Sequence, residues 1–120
     1  MAPAVDELGR GREAYTRRAW AEAGEALDRA ARDGPLAAGD LELHATTAYM
    51  LGRDDEYVRL LGEAHQAHLD AGAPLLAARC AFWVGMHLVV RGDVGRGSGW
   101  IGRAQRLIED GPAGTTWKLK

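Results

Sequence analysis

Residues 74–110, PLLAARCAFWVGMHLVVRGDVGRGSGWIGRAQRLIED, carry the strongest structural signal in the chain. In the first half Leu75, Leu76, Ala78, Cys80, Ala81, Phe82, Trp83, Val84, Met86, Leu88, Val89 and Val90 are apolar on nearly every side. A helix that is apolar all round belongs in an interior. Arg91-Gly92-Asp93 then marks a turn. Beyond it Trp100, Ile101, Ala104, Leu107 and Ile108 recur at helical spacing, with Arg103, Arg106 and Glu109 mostly off that face. The stretch reads as two helices folded back on each other. Gly95, Gly97, Gly99 and Gly102 weaken the second helix by roughly 1 kcal/mol each relative to Ala, which places them where two backbones approach closely or where the helix starts late.

The same plan runs more faintly upstream. Val5 to Arg18 predicts a first helix, entered by Asp and Glu where the helix dipole favours negative charge. Trp20 to Arg32 predicts a second, with Ala23, Leu27, Ala30 and Ala31 on one face and Asp33-Gly34-Pro35 ending it. A third starts near Asp40 as its N-cap and runs to Leu51. Gly52-Arg53-Asp54-Asp55 breaks it, and a fourth spans about Asp55 to Asp70. Ala71-Gly72-Ala73-Pro74 closes that one. The chain therefore reads as all-α, with about six helices in three hairpins.

Composition agrees. At 120 residues the chain fits one domain on the usual range of about 100–200 residues. Apolar residues at 47% with 27% charged are a globular mixture, and abundant Ala, Leu, Arg and Glu favour helix over strand. A net charge of −2 gives no basic footprint for phosphate, so nucleic-acid binding by this chain alone is not expected. The longest apolar run, Cys80 to Val90, is bounded by arginines and falls well short of the roughly 20 residues that span a bilayer. No secretory leader is read at the start. One cysteine, Cys80, makes no internal disulfide and agrees with a reducing compartment. The expectation is a cytoplasmic protein with no membrane partner.

An internal repeat is tested by fixed offset. A step of 34 carries Gly11 to Ala45, Ala14 to Ala48, Ala23 to Tyr57, Leu27 to Leu61 and Ala30 to Ala64. A further step of 40 carries these to Gly85, Leu88, Gly97, Ile101 and Ala104, and Gly52-Arg53-Asp54 to Gly92-Asp93-Val94. The second step is six residues longer, and the excess is expected in the fourth helix or its loop. Small residues in the first helix of each pair, an Ala, Leu, Ala progression along the second, and a Pro beyond it resemble the tetratricopeptide repeat. The resemblance covers Val5 to Glu109. It implies three stacked helical hairpins in a short right-handed superhelix, with units at about residues 5–35, 38–73 and 74–110. Residues 111–120 read as an irregular tail.

Gly52-Arg53-Asp54-Asp55-Glu56, Ala64-His65-Gln66-Ala67-His68-Leu69, Ala77 to Trp83, Gly99-Trp100-Ile101 and Arg103 to Leu107 further resemble the helical-repeat region of bacterial LuxR-type transcriptional regulators. That region precedes a DNA-binding helix-turn-helix in the family. None is read in this chain, so DNA binding does not carry over to these residues.

The residues able to do chemistry are few. His65 and His68 are three apart on one helix, but a structural metal site takes about four ligands and neither Glu63 nor Asp70 completes a set. A packing or surface role is expected for them, and a core or interface role for His44 and His87. Cys80 lies in the most apolar helix, where a thiol is inert. Gly95-Arg96-Gly97-Ser98-Gly99 lacks the preceding strand and the Gly-Lys-Ser/Thr of a phosphate loop. No nucleophile and base, no metal set and no cofactor loop are read, so the chain is expected to be non-catalytic and without a cofactor. In a stacked array of hairpins the first helix of each pair lines a concave face. The resemblance then puts Arg12 and Tyr15, with Leu8, on that face from the first unit, Glu42, Thr46 and Tyr49 from the second, and Arg79, Phe82 and Met86 from the third. Aromatics, Met and Arg suit a protein or peptide partner. The function read is a protein-interaction module, either the regulatory or oligomerising part of a transcriptional regulator or an adaptor derived from one. The alternatives are a self-assembling domain, dimerising through Trp100, Ile101, Leu107, Ile108 and Trp117, or an enzyme or small-ligand sensor with a site between helices.

Overall fold

The computed structural model describes residues 4–110, the first three of them by backbone only. Six helices account for almost all of these residues: α1 (Ala4–Thr16), α2 (Trp20–Asp33), α3 (Ala38–Met50), α4 (Asp54–Asp70), α5 (Pro74–Val90) and α6 (Val94–Asp110). No strand occurs among the described residues. Contacts divide the chain into two units, residues up to Leu60 and residues from Leu61 on, with the division inside α4. The expected tail and Trp117 lie outside the described residues.

One turn is used four times. At Arg18, Gly52, Gly72 and Gly92 the backbone passes through positive φ, at 61°, 76°, 74° and 94°. In each case the next residue's N–H donates to the carbonyl five positions back: Ala19 to Ala14, Arg53 to Ala48, Ala73 to His68 and Asp93 to Leu88, all at 2.8–2.9 Å. A left-handed residue closing the last helical carbonyls is how helices commonly end, and glycine meets it without a Cβ penalty. Arg18 takes the same conformation without that freedom. The turns at Arg18, Gly52 and Gly92 sit at offsets of 34 and 40, as the repeat register requires, whereas the turn at Gly72, between α4 and α5, has no counterpart between α2 and α3.

The six extra residues of the second step are in the helices. α4 has 17 residues against 14 in α2, and α5 has 17 against 13 in α3, while the loop between α4 and α5 is one residue shorter than that between α2 and α3. Asp40 does not cap α3, contrary to the sequence reading. The helix begins two residues earlier, its N-cap position is Ala37 with no side-chain bond, and Asp40 is buried in the first turn. Arg12 drew it there: its Nε and Nη2 donate to the two carboxylate oxygens of Asp40 at 2.9 and 2.8 Å.

In the first unit α1 and α2 form an antiparallel hairpin with α3 against both. Ala14, Ala23, Ala26, Leu27 and Ala30 are its buried centre. Gly11 lets the hairpin close, because a Cβ there would meet the Leu27 side chain at 2.9 Å. Arg29 Nε donates to Glu7 at 2.8 Å and holds the Glu7 carboxyl below its ordinary range. In the second unit α5 and α6 close more tightly still. A Cβ on Gly85 would lie 2.6 Å from Ile101 Cγ1 and 2.8 Å from the Gly97 carbonyl, and one on Gly97 would lie 2.6 Å from Val89 Cγ2 and 2.8 Å from the Gly85 carbonyl. Of the α6 glycines Gly97 marks the backbone approach, Gly95 and Gly99 face open space, and the helix starts early, at Val94. Asp93 caps it through its side chain, accepting from the Arg96 N–H at 3.4 Å and from Arg96 Nη1 at 3.1 Å.

Two predictions rest on these contacts. Gly85→Ala and Gly97→Ala destabilise by about 1–3 kcal/mol, since overpacking against backbone outweighs the gain in helix propensity. Gly95→Ala and Gly99→Ala, with no atom near the added methyl, gain up to about 1 kcal/mol. Urea unfolding of the four variants reads both signs, and a neutral Gly97→Ala contradicts the close approach. For Glu7 the folded carboxyl titrates lower than the unfolded one, so its contribution is present above the unfolded pKa and is lost as pH falls through the folded one. Glu7→Gln therefore melts below the wild type at neutral pH, and the gap closes in acid.

Candidate functional site

The α5/α6 hairpin carries a cavity of about 440 Å³ lined by Leu75, Ala78, Arg79, Phe82, Ile101, Ala104, Gln105, Ile108 and Glu109. Its floor is Ala78 and Ala104, both buried. Its rim is apolar side chain left in solvent, with Leu75 46%, Phe82 39% and Ile108 47% exposed. The opposite side of α6 is occupied. Trp100 packs edge-on to His65 of α4 at 5.3 Å, stands within 3.7 Å of where a Cβ on Gly62 would lie, and takes Arg103 over its ring at 4.5 Å. Trp100 and Leu107 thus close over the Ala78, Ala81 and Ala104 cluster.

A register of 74 residues, the two repeat steps together, relates this hairpin to α1/α2. Gly11 and Leu27 become Gly85 and Ile101, and the two turns coincide. In the first hairpin α3 covers a stripe of α2. A Cβ on Gly24 would lie 3.2 Å from Leu51 and 3.5 Å from Thr47, and Asp28 bonds His44 at 2.7 Å. The corresponding α6 residues are Ser98 and Gly102. Gln105 and Glu109 continue their stripe at helical spacing and line the cavity. Gly24 is buried under α3, whereas Ser98 is exposed. The cavity therefore opens toward the side of the hairpin that, in the first unit, holds a helix.

The residues expected on the concave face fall into three settings. Arg79 and Phe82 line the cavity, and Met86, one turn further along α5, is half-buried and not in its lining. Arg12 is tied to Asp40, and Tyr15 stacks edge-on with Trp20 at 5.4 Å. Glu42 and Thr46 are partly buried on α3, and Tyr49 is 52% exposed beside Tyr57 at 5.2 Å. The α6 wall, with Ile101, Gln105 and Glu109, was missed by the concave-face register, which counts only the first helix of each pair. The apolar spacing of Ile101 and Ile108 was its signal.

Three histidines, His44, His65 and His68, are buried, and His87 is partly buried. His65 is buried, and because a carbonyl can only accept, its Nδ1 carries the proton donated to Ala77 at 2.9 Å. His68 and Cys80 are buried as well. His44 is 4% exposed, with Nε2 on Asp28 and no hydrogen-bond partner at Nδ1. The Gly95 to Gly99 segment lies within α6 and forms no loop. No described helix is long and apolar enough to cross a membrane. No protein-family model, curated protein or solved structure matches the chain.

The Arg12 bridge has an asymmetric consequence. Asp40 is the buried partner, its side chain 8% exposed against 55% for Arg12, so removing the guanidinium strands a desolvated carboxylate. Arg12→Met lowers the thermal midpoint more than Asp40→Asn does, and the double variant recovers part of the loss. Equal losses in the two single variants would leave the bridge as a surface contact only.

Proposed function

We propose that the chain is a non-catalytic protein-interaction module whose α5/α6 groove receives an amphipathic helix in the way that α1/α2 receives α3. The carrying observation is the apolar cavity between α5 and α6, ringed by solvent-exposed Leu75, Phe82 and Ile108 on a hairpin of the same register as one that holds a helix. Apolar i, i+4, i+7 anchors entering such a groove are a recurrent recognition mode. Arg79, Gln105 and Glu109 supply polar groups around it. The resemblance to tetratricopeptide repeats and to the helical region of LuxR-type regulators supports a regulatory setting for that partner.

A second reading, self-assembly through the same hairpin, is favoured by the further exposure of Leu76, Trp83, Val90 and Val94, at 41%, 52%, 79% and 57%. Large apolar side chains left in solvent on one hairpin are the raw material of association sites.

Phe82→Ser with Ile108→Ser discriminates. Both side chains are already partly in solvent, so the melting temperature stays near that of the wild type. A partner retained by the wild type is lost from the variant at least tenfold, as expected when two groove anchors go. Sedimentation of the wild type across a wide concentration range separates the readings. A monomer that binds its partner supports the first, and a dimer dissociated by the double substitution supports the second. Tyr49→Ala, outside the groove, tests the rest of the expected concave face in the same assay. Loss of binding there, with Phe82 and Ile108 dispensable, moves the site off the α5/α6 groove.

A further inference from the structure

Asp28 on α2, His44 on α3 and Glu56 in the first turn of α4 each place a ligand atom so that all three lie within 4.8 Å of one another. All three belong to the first unit. We infer that they form a binding site for one first-row divalent transition ion, with zinc as the representative.

The burial pattern suits ligation. His44 is 4% exposed, while the side chains of Asp28 and Glu56 are 38% and 26% exposed. The imidazole forms the inner wall and the carboxylates the solvent side, which leaves a path for entry. His44 Nε2 stands 2.7 Å from Asp28 Oδ1. Nδ1 is buried without a partner, so a proton placed there goes unpaired and lowers the affinity of any ion bound at Nε2. Ligation through Nε2 uses the neutral ring with its one proton on Nδ1, so the ion displaces the Nε2–H···Asp28 hydrogen bond and the proton moves to the other ring nitrogen. Bonds of about 2.0–2.1 Å in a tetrahedral site put ligand atoms about 3.3 Å apart. The pocket must therefore contract by about an ångström and a half at most, within reach of side-chain rotation. Glu56 is not locked away from this movement: its ion pairs to Arg53 and Arg59 span 4.0 and 3.7 Å, longer than hydrogen bonds.

The donor chemistry narrows the ion. One nitrogen and two carboxylates, with no sulfur, suit zinc, manganese, iron(II) or cobalt(II). Two negative charges balance the dication. Three protein ligands leave one position for water, as in open zinc sites. His44 Nδ1 has none of the carbonyl or carboxylate support that usually orients a ligating histidine, so the site is weaker than a closed structural one. The sequence reading expected no metal because His65 and His68 complete no set. The structure collects other donors, 16 and 12 positions apart, from three helices.

Calorimetric titration of the full chain with zinc chloride tests this. One ion binds per chain, and Asp28→Asn and Glu56→Gln each weaken binding by about 10–100-fold while circular dichroism shows unchanged helix. Cobalt(II) in the same protein gives visible d–d bands that both substitutions abolish. Absence of zinc binding by the folded wild type, or binding equally tight in both variants, overturns the assignment. Both substitutions are near-isosteric and lie on partly exposed side chains, so a folded variant is available for the comparison.

Discussion

The backbone contact between Gly85 and Gly97 is the constraint on which the α5/α6 unit depends. With each carbonyl where the other residue's Cβ would go, the two helices approach until main chain touches main chain. That closeness lets alanines suffice as core, since Ala77, Ala78, Ala81 and Ala104 are buried with few large side chains among them. It also pushes bulk outward. Leu75, Phe82 and Ile108 find no room between the helices and stand around the cavity instead. The apolar groove is therefore a product of the glycine seam: a looser hairpin would take those side chains inside.

The first unit uses a milder version of the same device and adds polar anchors. A Cβ on Gly11 would meet the Leu27 side chain first, at 2.9 Å, and the Leu27 backbone nitrogen only at 3.4 Å, so α1/α2 approach less closely than α5/α6. Three contacts between charged or titratable side chains hold this arrangement: Arg12 with Asp40, Asp28 with His44, and Glu7 with Arg29. Each joins two different helices. Where one partner is buried, as at Asp40 and His44, the contact is costly to break from one side, and this gives a small alanine-rich core a defined geometry that apolar packing alone supplies weakly.

Element positions were legible because Gly and Pro punctuate the chain and the apolar spacing between them is helical. The first five helices fall within two residues of their expected bounds, the sixth begins at Val94 where the sequence reading left its start open, and the offsets of 34 and 40 reappear in the turns at Arg18, Gly52 and Gly92. Asp40 misled because an acidic residue near a helix start satisfies the capping pattern, and nothing in sequence shows an arginine 28 positions earlier reaching for it. The glycines of α6 were ambiguous between a late start and a close approach, and only the partner Gly85 decides it. For the candidate site, Phe82 and Arg79 were readable from the repeat register. The α6 wall was not, since that register assigns binding to first helices. Asp28, His44 and Glu56 converge through tertiary packing, which no spacing rule encodes.

The recurrent turn also has a kinetic meaning. Each closes a hydrogen bond between residues five apart, and each hairpin core joins positions such as Gly11 and Leu27 or Gly85 and Ile101, 16 apart. Ordering therefore needs only short loops to form, at small entropic cost, and chains dominated by such local contacts cross their barriers in about microseconds to milliseconds. The α1/α2 hairpin can assemble before α3 to α6 exist. A polypeptide emerging from the ribosome could thus complete α1/α2 while α5 is still unmade, and the glycine seam would close after it.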